Sequence, residues 1–213
     1  MDTLLTVNGT ELFVHREGTG EPVVVVHGGP LLDHGYLVEP LRPLTDGHEL
    51  IFYDQRLSGR SAGRVDSASV RLDTLVADIE AIRTSLGLGR IHLLGHSWGG
   101  LLAAKYAASH PDRLRSLVLL SPLPPSAELW QAEREAQAAA LEPADTAGMG
   151  ALRSSEAIRR GESDAVETLL RMSFRGQFRD PSRAMELEFH IPEDYVARSR
   201  QLRYLAGDLT DYD

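Results

Sequence analysis

The segment around Ser97 constrains the fold of this chain more than any other. A short apolar run, Ile91–Leu94, leads directly into Gly95-His96-Ser97-Trp98-Gly99-Gly100, and the small-residue stretch Leu101–Ala108 follows. A strand, a Gly-x-Ser-x-Gly turn and a helix in direct succession form the context in which a serine is exposed as a nucleophile. The two glycines of the motif suit a sharp turn, because a Cβ at either position would clash with nearby backbone. We therefore predict that Ser97 projects at the positive N-terminal end of a helix.

Length, composition and charge limit the classes of protein to which the chain can belong. Its 213 residues, 42% of them hydrophobic, suit one compact α/β domain with a small insertion. The chain has no cysteine, which excludes disulfides and thiolate metal sites and favours a cytoplasmic location. No apolar run reaches the roughly 18 residues of a membrane span. The net charge of −9 argues against nucleic acid as a partner. No histidine spacing predicts a metal site, and we expect no cofactor.

The first half of the chain alternates strand-like and helix-like segments. Asn8-Gly9 lies between two strand-like runs and predicts a hairpin. The runs Pro22–His27 and Leu50–Tyr53 are continuously apolar, as in strands buried on both faces of a parallel sheet. Apolar residues at helical spacing between Leu72 and Leu86 predict a helix, and Leu114–Leu120 predicts a further strand. The fold class is therefore α/β, with a mostly parallel sheet that gathers ligands at the carboxyl ends of its strands.

The sequence changes character at Pro122. Beyond a proline-rich linker no strand-like run occurs, and five segments look helical: residues 130–141, 154–161, 164–172, 181–189 and 192–205. We predict three parts. Residues 1–122 form a core with the first six strands of the sheet, residues 123–205 form a helical cap over its carboxyl edge, and residues 206–213 begin a return to the core that is cut short.

Two glycine-containing turns supply the candidate catalytic groups. Ser97 is the candidate nucleophile, and the Trp98 main-chain N–H is the expected first donor to an oxyanion. The glycines of His27-Gly28-Gly29-Pro30 let a second main-chain N–H turn into the same pocket, and we assign that role to Gly29. We expect His27 itself to be a packed, hydrogen-bonded structural imidazole.

Other polar residues are interpreted as structural. In Tyr53-Asp54-Gln55-Arg56-Leu57-Ser58-Gly59-Arg60-Ser61, we expect Asp54 and Arg56 to pair and to hold the loop beside the elbow. Four acids of the cap could receive a substrate amine, although acids on helices more often serve solubility. These acids are Glu186, Glu188, Glu193 and Asp194.

Three of these segments, residues 27–30, 53–61 and 95–100, together resemble the α/β-hydrolase superfamily and in particular its proline iminopeptidase-like branch. Members of this family place an oxyanion loop, an Asp-Gln-Arg loop and a nucleophile elbow in this order, and they insert a helical cap after the sixth strand. The resemblance spans residues 3 to 122. The segment after residue 122 agrees with the family's cap only in its position and in its helix-like composition. It implies an aminopeptidase- or esterase-like serine hydrolase whose substrate is a small molecule or a short peptide, such as an N-terminal prolyl peptide. Leu31 and Leu57 depart from the family pattern, since many members have glycine at both positions.

The end of the chain departs further from the family pattern. The resemblance places the triad acid after a seventh strand and the triad histidine after an eighth. Here Asp208, Asp211 and Asp213 follow no strand-like run. We therefore expect the last two strands and the final helix to be missing, together with the acid and the base, and expect weak activity at best from a truncated chain. The sixth strand would then be an exposed apolar edge, open to a complementing chain or to self-association.

Two other functions stay open on the same scaffold. One is a non-catalytic binding or interaction module that has kept the hydrolase fold. The other is a cofactor-free haloperoxidase or a carbon–carbon hydrolase that uses the same elbow.

Overall fold

The computed structural model describes residues 1–63, 65–124, 126–202 and 205. Six strands form one sheet in the order β1-β2-β4-β3-β5-β6, in which β3 to β6 run parallel to one another and β2 runs antiparallel to β1 and β4. The prediction of a mostly parallel α/β sheet is therefore confirmed. The strands are β1 Asp2–Val7, β2 Thr10–Gly18, β3 Glu21–Val26, β4 His48–Tyr53, β5 Ile91–His96 and β6 Leu114–Leu120.

Asn8 and Gly9 form the two-residue turn between β1 and β2, as predicted. Both have positive φ, +45° and +75°, which is the combination a type I′ turn requires. Val7 pairs with Thr10 across the turn, so the hairpin has no additional loop residue.

Helices cover both faces of the sheet. The helices are α1 Gly35–Leu41, α2 Leu72–Ser85, α3 Trp98–Ser109, α4 Ala127–Ala139, α5 Pro143–Arg153, α6 Glu156–Arg160, α7 Ser163–Phe174 and α8 Tyr195–Ser199. Val24 and Val26 share a buried cluster with residues of α2 and α3, whereas Val23 and Val25 share a second cluster with Leu37 of α1. Strand β3 is thus buried on both faces, which explains its unbroken valine run.

Helices follow β6, but their bounds differ from the predicted ones. The prediction missed α1 and α5, whose glycines and prolines weaken the helical pattern. The predicted helix at 181–189 is wrong: Pro181–Glu186 forms 3₁₀ turns, and Leu187 is extended. Side chains of α7 bind this backbone instead, since Arg171 Nε donates to the Leu187 carbonyl at 2.7 Å. The predicted helix at 192–205 begins later than expected, with α8, and continues as a 3₁₀ turn at Arg200–Leu202; residues 203 and 204 lie outside the described residues.

Strand β6 forms one edge of the sheet among the described residues. Val118, Leu119 and Leu120 are 47%, 42% and 42% exposed there. Residues 206–213, predicted to begin a return to the core, lie outside the described residues. Among the helices that the structure describes, none has the length and hydropathy of a membrane span.

Candidate active site

Ser97 occupies a strained turn between β5 and α3. Its φ and ψ are +51° and −120°, a conformation that non-glycine residues rarely adopt. The steric requirement predicted for the flanking glycines is confirmed. A Cβ on Gly95 would lie 2.7 Å from the Ala103 Cβ, and a Cβ on Gly99 would collide with the carbonyl oxygens of Val26 and His27. The turn can therefore form only because both positions lack a side chain.

Ser97 lines a cavity of about 430 Å³ between the sheet and the described residues that follow β6, which are called the cap below. The volume lies within the range of about 300–1,000 Å³ that is typical of small-molecule sites. The core contributes Gly28, Gly29, Leu32, Tyr36, Leu37, Pro40, His96, Ser97 and Leu120, and the cap contributes Phe174, Gln177, Phe178, Leu187 and Phe189.

The two candidate oxyanion donors belong to the elbow itself and to the glycine loop that lines the same cavity. Trp98 is the first residue of α3, where main-chain N–H groups have no acceptor within the helix and the helix dipole favours negative charge. Gly29 lines the cavity with a φ of +55°. At Gly28 a Cβ would lie 2.9 Å from both the Tyr36 hydroxyl oxygen and Nδ1 of His96 and 3.1 Å from the Ser97 Cβ, so a side chain there would crowd the loop against the elbow. The oxyanion roles of Gly29 and Trp98 stay predictions.

Tyr36 connects the glycine loop to the elbow. Its hydroxyl accepts a hydrogen bond from the Gly28 N–H at 2.7 Å and lies 2.7 Å from Nδ1 of His96. Burial raises the pKa of Tyr36 and lowers the pKa of His96, so the phenol is protonated and the imidazole is neutral. Because the phenol oxygen already accepts from Gly28, we assign its proton to the hydrogen bond with Nδ1 of His96. Sequence reasoning missed Tyr36, because α1 was not predicted and nothing in the sequence places residue 36 near residues 28 and 96.

Gln55 makes a second connection between the same two segments. Its Oε1 accepts from the Trp98 indole N–H at 2.9 Å, and its Nε2 donates to the His27 carbonyl at 2.7 Å. The Gln55 main-chain N–H donates to Nε2 of His27 at 3.0 Å. His27 is fully buried, and burial lowers its pKa, so it is a neutral, packed imidazole as predicted.

The predicted pairing of Asp54 with Arg56 is wrong. Arg56 instead forms a buried, two-pronged ion pair with Asp78 of α2, at 2.6 and 2.9 Å. Asp54 points away from it, accepting from the Arg60 main-chain N–H at 2.8 Å and contacting Nδ1 of His34 at 2.7 Å. The two side chains diverge because the backbone turns after Gln55, where the Ser58 N–H donates to the Gln55 carbonyl at 2.9 Å. The loop is held in place by the Arg60 amide within it and by His34 and Asp78, which lie 20 and 22 residues away from their partners in sequence.

The described part of the chain places no base on Ser97. None of its imidazoles hydrogen-bonds to the Ser97 hydroxyl: His96 binds Tyr36, His27 binds Gln55, and His34 binds Asp54. In the same ranges, no group of three or more histidine, aspartate or glutamate residues could hold a metal ion. Asp208, Asp211 and Asp213 lie outside the described residues.

The four cap acids considered as receptors for an amine do not line the cavity among its described lining residues. Glu186 pairs with Arg183 at 2.8 Å, and Asp194 pairs with Arg198 at 2.6 Å. Glu188 and Glu193 are exposed.

The fold and the elbow define an α/β hydrolase, and comparison with known proteins agrees. Residues 21–143 match the family described as "alpha/beta hydrolase fold", and the chain belongs to this family. The predicted family is therefore confirmed.

Curated relatives include several bacterial proline iminopeptidases. The chain is 39% identical over 120 residues to the proline iminopeptidase of Heyndrickxia coagulans. The aligned region covers 56% of this chain and 41% of that protein. It is 34% identical over 193 residues to the proline iminopeptidase of Lactobacillus delbrueckii subsp. bulgaricus, with 87% of this chain and 62% of that protein covered. The chain thus spans about half the length of the curated relatives that it matches.

Solved structures share the fold. VinJ superposes with a TM-score of 0.68 at 24% identity, which covers 99% of this chain and 70% of VinJ. The proline iminopeptidase of Mycobacterium smegmatis gives 0.59 at 24% identity, with 99% and 69% covered. An epoxide hydrolase from an endophytic Streptomyces gives 0.53 at 31% identity, with 57% and 37% covered.

Proposed function

We propose that the protein to which this chain belongs is a serine hydrolase that cleaves a small amide or ester through an acyl-enzyme on Ser97. The observation that carries the proposal is the strained turn at Ser97, which borders an apolar cavity beside two candidate N–H donors. A backbone strained in this way persists only where its surroundings enforce it, and such strain is concentrated at functional sites.

The reaction follows from the positions of these groups. Ser97 Oγ forms a bond to the substrate carbonyl carbon while a general base takes its proton, and the carbonyl oxygen becomes an oxyanion that accepts from the Gly29 and Trp98 N–H groups. The bond to the leaving group then breaks, and that group takes up the proton. Water hydrolyses the Ser97 ester and releases the acid. Loss of one such oxyanion donor typically costs about 2.7–4 kcal/mol of transition-state stabilisation.

The base and its orienting acid come, in this proposal, from sequence beyond the described residues or from a complementing chain. Without them, oxyanion stabilisation and substrate binding alone leave a residual rate. We therefore expect slow acylation of Ser97 by the isolated chain. N-terminal prolyl peptides are the substrate class suggested by the names of the curated relatives.

A non-catalytic binding module is the second candidate. It is favoured by the absence of an imidazole on the Ser97 hydroxyl among the described residues. A cavity of this size could retain ligands after catalysis had been lost.

Acylation tests the proposal against this alternative. The chain is incubated with 4-nitrophenyl butyrate and, separately, with prolyl-naphthylamide, and intact-mass and peptide analysis locate any acyl group. We expect one butyryl group on Ser97, lost in Ser97→Ala and retained in the control Ser109→Ala, an exposed serine at the far end of α3. A folded chain with no acyl group on Ser97 would favour the binding module.

A further inference from the structure

We propose that the cavity beside Ser97 accepts an uncharged, apolar acyl group and discriminates against a substrate that carries a protonated amine next to its carbonyl. The inference rests on the proposed function only in taking this cavity as the acyl site. It departs from the prolyl peptides that the relatives' names suggest.

Aromatic side chains of the cap form one wall of the cavity. Phe174 at the end of α7 stacks against Phe189, with ring centroids 5.9 Å apart. Phe178 and Leu187 extend the wall, and Leu32 and Leu37 of the core also line the cavity. Offset aromatic rings and aliphatic groups bind flat or branched apolar groups through burial and dispersion.

Hydrogen bonds hold this wall in place. The Leu187 carbonyl accepts from Arg171 Nε at 2.7 Å, and the Phe189 N–H donates to Glu167 Oε1 at 3.4 Å. Arg171 and Glu167 also pair with each other at 2.8 Å on α7. The charges of this pair are therefore used to fix the backbone of the wall.

The described lining carries no carboxylate. The nearby Asp33 is engaged elsewhere, because its carboxylate accepts from the main-chain N–H groups of Gly35 at 2.6 Å and His190 at 3.0 Å. Asp145 pairs with Arg175 at 3.0 Å. A buried ammonium group without a carboxylate partner loses its hydration without compensation. An uncharged acyl group incurs no such penalty.

Two amides of matched ring size separate charge from shape. Cyclopentanecarboxamide and prolinamide both present a five-membered ring and a carboxamide, but only prolinamide carries an amine that is protonated at neutral pH. Binding is followed by NMR on the full chain and on its Ser97→Ala variant, with the Phe174 and Phe189 ring signals as reporters. Neither amide needs a reactive serine, so the result is independent of whether Ser97 is acylated.

We expect cyclopentanecarboxamide to bind at least tenfold more tightly than prolinamide and to shift both phenylalanine signals in the wild type and in Ser97→Ala. Equal or tighter binding of prolinamide would overturn the inference, as would the failure of both amides to shift these signals. If Ser97 is not acylated but the neutral amide binds as expected, the proposed function fails and the inference about the cavity stands.

A charge substitution gives a second test. Leu187→Glu places a carboxylate on the lining, and we expect it to raise prolinamide affinity about tenfold while weakening the neutral amide. Met185→Glu is the matched control, because Met185 is exposed on the same segment and is not among the described lining residues. An equal change in both variants, or no gain in Leu187→Glu, would contradict the assignment of this wall to the acyl site.

Discussion

Leu31 and Leu57 show how side-chain burial can outweigh backbone strain at single residues. Both have positive φ, +75° and +66°, where glycine is favoured, yet their side chains are 4% and 0% exposed in the main core cluster. The left-handed conformation costs a non-glycine residue about 1–2 kcal/mol. Burying a leucine side chain contributes about 2–5 kcal/mol, as judged from truncation to alanine. At these two positions, where many family members have glycine, the burial of a leucine side chain therefore outweighs the cost of the left-handed backbone.

Substitutions at Leu57 test this balance. We expect Leu57→Gly to lower the free energy of unfolding by about 2 kcal/mol, because the lost packing exceeds the relieved strain. Leu57→Ala keeps the strain and loses the packing, so it should be about 1 kcal/mol less stable than Leu57→Gly. Urea unfolding measures both values. A Leu57→Gly variant more stable than the wild type would show that strain dominates.

Tyr36→Phe tests the connection between the glycine loop and the elbow. Loss of the hydroxyl leaves the Gly28 N–H and His96 Nδ1 without their partner, and an unsatisfied buried group costs about 1–3 kcal/mol. We expect a loss of stability in that range and faster hydrogen exchange at the Gly28 amide. Nitrogen NMR of His96 should show Nδ1 unprotonated in the wild type. A protonated Nδ1 would contradict the assigned donor direction.

Between elements, Arg198 of α8 attaches the cap to the core. The residue is 9% exposed, and its Nη1 donates to the carbonyls of Leu57 and Gly59 at 3.1 Å and of Ser61 at 3.3 Å. We expect Arg198→Met to accelerate hydrogen exchange in the cap helices at least tenfold while β3 and β5 stay protected. Arg183→Met, at an exposed arginine of the cap, should leave both unchanged. Uniform acceleration across the sheet in Arg198→Met would contradict a local attachment.

Glu80 links α2 to α3 and makes stability depend on pH. Its carboxylate binds Arg83 at 2.7 Å and accepts from the Tyr106 hydroxyl at 2.6 Å, and these contacts lower its pKa from 4.5 to about 2. Because the folded pKa is depressed, the contribution of Glu80 to stability is present above pH 4.5 and is lost as pH falls towards 2. Glu80→Gln should therefore weaken the pH dependence of the urea unfolding midpoint over this range. The substitution Glu128→Gln, at an exposed glutamate, should leave that dependence unchanged. If the urea midpoints of the wild type and of Glu80→Gln change with pH in the same way, Glu80 does not cause this pH dependence.

For the whole molecule, sequence reasoning succeeded where local pattern and topology agree. The hairpin at Asn8-Gly9, the doubly buried β3 and the elbow at Ser97 each follow from residues adjacent in the chain. The partners of Tyr36, Gln55 and Arg56 could not be predicted, because those contacts join residues 20 to 60 positions apart. The irregular segment after Glu186 was wrongly predicted to be helical. Its backbone groups form hydrogen bonds with Arg171 and Glu167 of α7 instead of with one another.

The β6 edge provides a prediction for the whole molecule. Val118, Leu119 and Leu120 expose apolar side chains along an edge that lacks a neighbour among the described residues. Exposed apolar edges favour strand pairing between molecules. We expect the isolated chain to self-associate with rising concentration in sedimentation, and Leu119→Lys to suppress this. Leu129→Lys, at an exposed leucine of α4, is the control. Equal suppression by both variants would place the contact elsewhere.

Phosphonylation of the folded chain tests the central claim, that the turn presents Ser97 alone as a nucleophile, most directly. The chain is treated with a fluorophosphonate, and peptide mass spectrometry identifies every modified residue. The account predicts one adduct, on Ser97, which is absent from Ser97→Ala and from the urea-unfolded chain. Adducts spread over other serines, or a folded chain that carries none, would contradict it.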